Sequence, residues 1–494
     1  MSIQTYLPTW ESLSQHPVPE WYHDAKFGIF LHWGPSAVPG WAPLTGGFSE
    51  VLRTKGDRYW FANNPYAEWY CQAMRIPGSP TARYHAATYG ADTPYDAFIP
   101  AFNHAVRDWD PAPWADLFQR AGARYVVLIT KHHDGFLLWP SDTPNPYKPG
   151  WQAERDLVGE LTNAVRARGM RMGLYYSGGL DFTFNDRTIY DIVDVLAAAP
   201  TSPEYTAYAE AHWRELIRRY APSILWNDIG YPAGSNLPAL FADYYAAVPE
   251  GVVNDRFSQS TFDSRAVEPP SSARAKALRG VLRYLGRQTI AHPEGWLARR
   301  LPGNTHHDFR TPEYASYTKA VSRKWETTRG LGYSFGYNRN ETPETWLSLR
   351  ELIHMLVDAV SKNGNLLLDI GPMADGTIPE AYRERLEGLG AWLAINGEAI
   401  FDTRPWDYAE GWTDAHIPLR FTQSKSGDAL YAILLGAPQK PRVGFYGKTE
   451  RALTSVTLLG YPEPLRWKRR GNKLTVEMPA GLQDAPALTL KFAF

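Results

Sequence analysis

The sequence predicts an α/β fold, either a (β/α) barrel or a doubly wound sheet, followed by a small antiparallel β-sandwich. Three observations carry this. From about residue 25 to 400, short apolar runs alternate with amphipathic stretches. Those runs are continuously apolar, as expected of parallel strands covered on both faces. After Trp406 the character changes to short strand-like runs separated by Gly, Pro and Lys. The last of these alternates cleanly, the mark of an antiparallel strand with one buried face.

In chain order, strands are expected at 27–31, 125–130, 171–176, 224–226, 252–253 and 365–369. Helices fall between them. Asp110 and Pro111 open one, as capping acid and first-turn proline. In 156–168, Leu157, Leu161 and Val165 recur every four residues, and Gly169 stops the helix. Leu349, Leu352, Ile353, Leu356 and Val360 form the clearest apolar stripe, preceded by Ser348 and Glu351 at capping-box spacing and followed by Gly364. Segment 258–304 breaks the rhythm with eight Lys or Arg against three acids, and reads as an inserted helical excursion around 272–288, either a solvated or contact element or a lid. Past 406, strands are expected at 429–435, 456–459, 474–478 and 487–494, with Leu488, Leu490, Phe492 and Phe494 on one side and Thr489 and Lys491 on the other.

Composition narrows the function. With 494 residues, about 150 per domain suggests some three domains, although barrels run to ~250 or more as one unit. A net charge of -1 gives no electrostatic case for nucleic acid or an anionic membrane. The single Cys excludes an intramolecular disulfide and a multi-cysteine zinc site. The start lacks a basic end followed by an apolar core, and no run of 18 apolar residues occurs, so the expectation is a cytoplasmic protein without a membrane span. The 19 Trp, 29 Tyr and 20 Phe suit a core, and also a site for an uncharged, amphipathic ligand such as a sugar.

Polar clusters fall at the C-terminal ends of five predicted strands: His32-Trp33-Gly34, Lys131-His132-His133-Asp134-Gly135, Tyr175-Tyr176-Ser177-Gly178, Asn227-Asp228 and Asn254-Asp255-Arg256. Active sites form at that edge in barrels and open sheets alike. His132, His133 and Asp134, with His306, His307 and Asp308, could hold zinc, but adjacent histidines on an extended segment point opposite ways and no HExxH occurs. Gly332-Tyr333-Ser334-Phe335-Gly336 matches a nucleophile elbow, but a loop-like stretch follows it instead of a helix. A paired-carboxylate site needs one acid as nucleophile and another as proton donor. Asp228, ending a buried strand beside Trp226, is the best nucleophile. Glu68, Glu313 and Glu326 all sit beside aromatics that could desolvate a donor.

Together these stretches resemble the α-L-fucosidases of glycoside hydrolase family 29. The matching segments include KFGIFLHWG (26–34), NPYAEWY (64–70), AGARYVVLITKHHDGFLLW (121–139), GLYYSGGLDF (173–182), LWND (225–228), VNDRF (253–257), KWETTRGLGYSFGYNRNE (324–341) and VSKNGNLLLDIGPMADGTIP (360–379). The resemblance implies a TIM-like (β/α) barrel over 1–403, interrupted by the basic segment 258–304, followed by an antiparallel β-sandwich over 404–494. It implies Asp228 as nucleophile and Glu313 as acid/base of a retaining exo-α-L-fucosidase. It also implies His32, Glu68, Trp69, His132, His133, Tyr175 and Arg256 as sugar-contacting residues, with Phe335 facing the C6 methyl. The long connection from Arg256 to Glu313 departs from the family pattern and keeps Glu68 and Glu326 in play as donors.

The function expected is therefore hydrolysis of terminal fucose from a glycan or fucoside, without cofactor or metal and without nucleic-acid or membrane partners; a homo-oligomer is compatible with the sequence. The alternatives are a non-catalytic fucose-binding protein on the same scaffold and a metal-dependent hydrolase built on His132, His133 and Asp134.

Overall fold

The computed structural model describes residues 5–259, 273–291, 306–314, 316–446, 451–482 and 485–494. Seven strands form one parallel sheet: β1 (Phe27–Leu31), β2 (Tyr125–Lys131), β3 (Arg171–Ser177), β4 (Ile224–Asp228), β5 (Val252–Val253), β6 (Trp325–Gly330) and β7 (Gly364–Ile370). Their order is β5-β4-β3-β2-β1-β7-β6. Between the two edges runs segment 308–313, joined in parallel to β5 by Asn254 opposite Phe309 and to β6 by Arg310 opposite Trp325 and Glu313 opposite Thr328. This eighth stave closes a TIM-like ring, with helices packed outside it.

The strands follow from their sequences. β1, β2 and β7 are buried at every position, as a stave between an inner core and an outer helix layer must be. Gly28 is required because any Cβ there would lie 2.4 Å from the Tyr125 ring. β6 was not legible as a strand: Trp-Glu-Thr-Thr-Arg-Gly reads as polar, yet all but Arg329 are buried. The reason is Glu326, which accepts hydrogen bonds from Tyr22 (2.9 Å), Tyr125 (2.5 Å) and the Trp226 indole (3.0 Å) inside the barrel. A buried carboxylate with three donors is a satisfied core group.

The helices match their capping signals closely. Asp156 caps Leu157–Ala167 by accepting from the Gly159 amide, and Ser348 and Glu351 form a complete capping box on Leu349–Ser361. The left-handed residue after that second helix is Asn363, at φ 74, and Gly364 already belongs to β7, where a Cβ would meet Trp325 at 2.6 Å. Of the basic segment, Ala273–Ala291 is a helix; 260–272 and 292–305 lie outside the described residues.

The C-terminal part is two antiparallel sheets. β8 (Thr403–Trp412), β9 (Pro418–Ser424), β10 (Ala429–Leu434), β12 (Ser455–Leu458) and β15 (Leu488–Ala493) form one in the order β12-β15-β10-β9-β8. β11 (Arg442–Tyr446), β13 (Trp467–Arg470) and β14 (Lys473–Glu477) form the other. Leu430, Ala432, Leu434, Leu490 and Phe492 face the core between the sheets. The larger sheet is not open to water on its other face: Ala429, Tyr431 and Ile433 join the barrel's core, and Thr489 is fully buried. Arg420 reaches Asp358 on helix Leu349–Ser361 at 2.6 Å, tying sandwich to barrel. Among the described residues no helix is long and apolar enough to cross a membrane.

Candidate active site

A cavity of about 220 Å³ opens at the C-terminal ends of the staves. His32, Glu68, Trp69, His132, His133, Tyr175, Asp228, Arg256, Glu313 and Phe335 all line it. Their origins explain why: His32 follows β1, His132 and His133 follow β2, Tyr175 lies in β3 and Asp228 ends β4. Arg256 follows β5, Glu313 ends the eighth stave, and Phe335 lies in the loop after β6. Glu68 and Trp69 come from a short 3-10 turn, Ala67–Trp69, in the connection between β1 and β2.

Arg256 holds the two acids together. Its Nη1 lies 2.8 Å from Asp228 Oδ1 and 2.5 Å from Glu313 Oε1. Those contacts limit the two oxygens to a separation of at most about 5.3 Å, short of the ~6.5–9.5 Å that an inverting pair keeps between its carboxyls. Burial pulls the Arg256 pKa down, but Glu313 and Asp228 outweigh it and raise the value well above the ordinary one. The guanidinium also sits 4.7 Å from the centroid of Trp226, and its Nη2 and Nε are fixed by the carbonyl and hydroxyl of Thr311. Asp228 Oδ2 accepts from the Tyr175 hydroxyl at 2.9 Å.

Unusual backbone follows both acids. Ile229, directly after Asp228, has φ 56, and Tyr314, directly after Glu313, has φ 48. A β-branched residue in the left-handed region is a genuine outlier, and such conformations persist only where surrounding contacts over-determine them. Around Ile229 they do: the Gly230 amide donates to the Arg256 carbonyl, and Asn227 Nδ2 donates to the Gly230 carbonyl.

The histidines line the same cavity, His32 and His132 beside the Tyr175 ring. His32 Nδ1 lies 2.5 Å from Asp369 Oδ2, which leaves Nε2 for a ligand. Burial alone would lower the His32 pKa, but Asp369, Glu68 and Asp228 raise it; burial pushes Asp369 up to about 7. Each partner thus offsets part of the other's burial cost. His133 Nδ1 lies 2.6 Å from Ser177 Oγ, whose own hydrogen goes to the Leu180 carbonyl. Nδ1 must then carry the proton, and since burial, with Lys131 and His32, lowers the pKa well below the usual value, Nε2 is an acceptor. His132 is likewise held neutral, first by burial and then by His133 and His32.

The expectation that adjacent histidines point opposite ways is corrected by the fold. The two rings lie 4.0 Å apart and both line the cavity. The alternation argument fails because β2 ends at Lys131, after a register shift between Ile129 and Lys131, and 132–135 is a turn. Asp134 does not join them; it accepts from the Tyr95 hydroxyl and the Phe136 amide. His306 and Asp308 lie elsewhere, with His16. Of the other donors considered, Glu68 lines the cavity, accepting from the Gly336 amide and the Ser334 hydroxyl, whereas Glu326 is enclosed below it. Ser334 is buried, accepts from the Ala67 amide and has no helix behind it.

The α-L-fucosidase family profile matches residues 1–398, and the profile of the family's C-terminal domain matches 414–493. The chain belongs to the α-L-fucosidase family. Curated relatives of this glycoside hydrolase family include an α-L-fucosidase from Dictyostelium discoideum, 30% identical over 99% of this chain and 95% of the relative, and a human tissue α-L-fucosidase, 30% identical over 96% and 88%. A crystal structure of Thermotoga maritima α-fucosidase in complex with a mechanism-based inhibitor is 40% identical, covers 99% of this chain and all of that one, and has a TM-score of 0.81. Another of the same enzyme in complex with fucose has 39% identity and a TM-score of 0.80 over the same shares.

Sequence reasoning missed several groups of this fucosidase-family pocket. Asp369 lies near the C-terminal end of the apolar run Asn365–Ile370, and an acid in that place was the signal. Ser177, which sets the His133 tautomer, gave no signal, since its partner is distant in sequence. Trp226 and Thr328 also line the cavity, and Thr328 Oγ1 and His132 Nδ1 are buried without a protein partner.

Proposed function

We propose that the chain releases terminal α-L-fucose from glycans or fucosides as an exo-acting, retaining hydrolase, with residues 1–403 as the catalytic unit. The observation that supports this reading is the bridging of Asp228 and Glu313 by one arginine nitrogen, which keeps two oxygens of the pair within about 5.3 Å, too close for the water an inverting pair admits. Asp228, oriented by Tyr175, attacks the anomeric carbon while Glu313 gives a proton to the departing glycosidic oxygen. A covalent fucosyl ester on Asp228 results. Glu313 then takes a proton from water, whose oxygen attacks the same carbon and frees Asp228, so that two inversions give net retention. Protonated on the oxygen turned to the sugar, Glu313 still accepts from Arg256 through the other, so the bridge is kept through the step.

The cavity walls support a 6-deoxy sugar. His32, His133 and Glu68 present hydrogen-bonding atoms from one side, and Phe335, which lies 5.3 Å from His32 ring to ring, offers an apolar surface for the methyl group. Both proton transfer and nucleophile come from side chains, so the reading needs no cofactor. The test is a proton NMR time course with 4-nitrophenyl α-L-fucoside. α-L-Fucose appears first if the reading holds. β-L-Fucose first would mean inversion, and binding without any release would favour a fucose-binding protein.

A further inference from the structure

We propose that helix Ala273–Ala291 braces an apolar collar at the mouth of the cavity, and that this collar selects fucosides whose leaving group presents an apolar face. The proposal rests on the fucosidase reading and adds the leaving-group class to it. The collar consists of Phe48, Phe61, Ile192, Val195 and Ile229, all lining the cavity. None of them can hydrogen-bond a sugar hydroxyl, and none comes from the strand ends that carry the polar wall, Ile229 excepted. Ile229 is 37% exposed as well as left-handed. Such a conformation is unfavourable for a β-branched residue, and here it leaves an apolar side chain partly exposed directly after the nucleophile. A ligand that packs on Ile229 gives that placement a use.

The helix holds the collar through three arginines spaced i, i+4, i+8, and therefore on one face. Arg279 reaches Asp191 at 2.7 Å and Asp194 at 2.8 Å, at the start of helix Ile192–Ala197, which carries Ile192 and Val195. Arg283 grips Asp57 with Nε and Nη2, at the start of helix Asp57–Ala62, which carries Phe61. Arg287 donates to the Leu52 carbonyl in helix Phe48–Thr54, which carries Phe48. Leu282 packs on Val193 and Ala197, and the helix comes so near at Gly286 that a Cβ would lie 3.3 Å from Ile192. Each collar-bearing helix thus receives one arginine. With the helix in place Asp57 and Asp191 are fully buried, and Arg283 and Arg279 are the cations nearest them; Asp191 has a second, longer contact to Arg58 at 3.5 Å.

The shared chemistry of the leaving group is an apolar face, supplied either by an aryl ring or by the less polar face of a pyranose. The test compares kcat/KM on 4-nitrophenyl α-L-fucoside, on a fucosyl disaccharide and on α-L-fucosyl fluoride, whose leaving group is one atom. The variants are Val195→Ser and the charge-neutral pair Asp57→Asn with Arg283→Gln. Each is expected to lower the ratio of aryl to fluoride kcat/KM about fivefold, the worth of one to two buried methyl groups. A disaccharide that falls with the aryl substrate identifies a pyranose face, and one that does not identifies an aryl ring; both uphold the collar. A parallel loss on fluoride and aryl substrates, or no loss on either, overturns it. Should the double variant not fold, Val195→Ser decides alone. A wild-type chain that turns over none of the three substrates defeats the fucosidase reading itself, a result distinct from an unchanged ratio.

Discussion

Two buried histidine–carboxylate pairs lie toward opposite ends of the barrel and use the same atoms differently. His32 Nδ1 meets Asp369 Oδ2 at 2.5 Å at the cavity floor, and His16 Nδ1 meets Asp308 Oδ1 at 2.8 Å near the start of the eighth stave. Around His16 both ring nitrogens and both Asp308 oxygens have protein partners, His16 Nε2 lying 3.4 Å from the Pro249 carbonyl. Asp308 Oδ2 accepts from Tyr245 and from the Val253 amide, Tyr245 accepts from His306 Nε2, and the His16 ring stacks on Tyr245 at 3.8 Å. Around His32 the other ring nitrogen faces a cavity, and Asp369 Oδ1 has no partner. Residue type and burial do not separate the two pairs. What separates them is whether a polar atom is left over, and that is the mark of a site as against a staple.

Four variants press on this contrast, in falling order of effect. Asp228→Gly removes the proposed nucleophile and should cut turnover of an aryl fucoside by more than about 10³-fold while the chain still folds, as read from circular dichroism. Glu313→Ala should lose about 10²–10⁴-fold on a poor leaving group and far less on a good one, with azide restoring turnover; near-normal activity on a poor leaving group would remove Glu313 from the role. Asp369→Asn should lower kcat/KM about 10–100-fold, and the ionisation near pH 7 in its pH profile, which burial of Asp369 produces, should vanish. Asp308→Asn should do the reverse: a loss of about 2–3 kcal/mol in denaturant unfolding with KM unchanged. If Asp308→Asn altered KM more than Asp369→Asn, the division between open and closed pairs would be wrong.

A fifth, smaller effect concerns an acid beside the cavity that takes no part in it. Burial pushes the Asp134 pKa up to about 6. The folded chain therefore holds that proton more tightly than the unfolded one, and the associated stability is present near pH 4 and lost as pH rises toward 6. Asp134→Asn should raise stability by about 1 kcal/mol at pH 7 and leave it unaltered at pH 4, as read from thermal melts.

The sequence carried the strands whose two faces are both covered, because Val, Ile and Leu runs such as 126–129 and 366–368 admit little else. It did not carry β6, where Glu326 and two threonines hide in the interior behind partners from β2, β4 and the helix Glu20–Ala25. Nor did it carry the eighth stave, whose pairing is a few isolated bridges. The polar strand ends announced the cavity one cluster at a time. Their shared geometry, above all Arg256 between two acids from distant segments, is a property of ring closure that no local pattern encodes. The histidine pair shows the same limit: alternation was applied one residue past the point where the strand had ended.

The tautomer fixed at His133 has a consequence for ligand design. Because Ser177 takes the hydrogen on Nδ1, the nitrogen toward the cavity can only receive one. Whichever sugar position meets it must supply a hydrogen, and a fluorine there, similar in size but with nothing to give, would be refused. Dissociation constants for a series of sugars fluorinated one carbon at a time would single out that position by its drop in affinity.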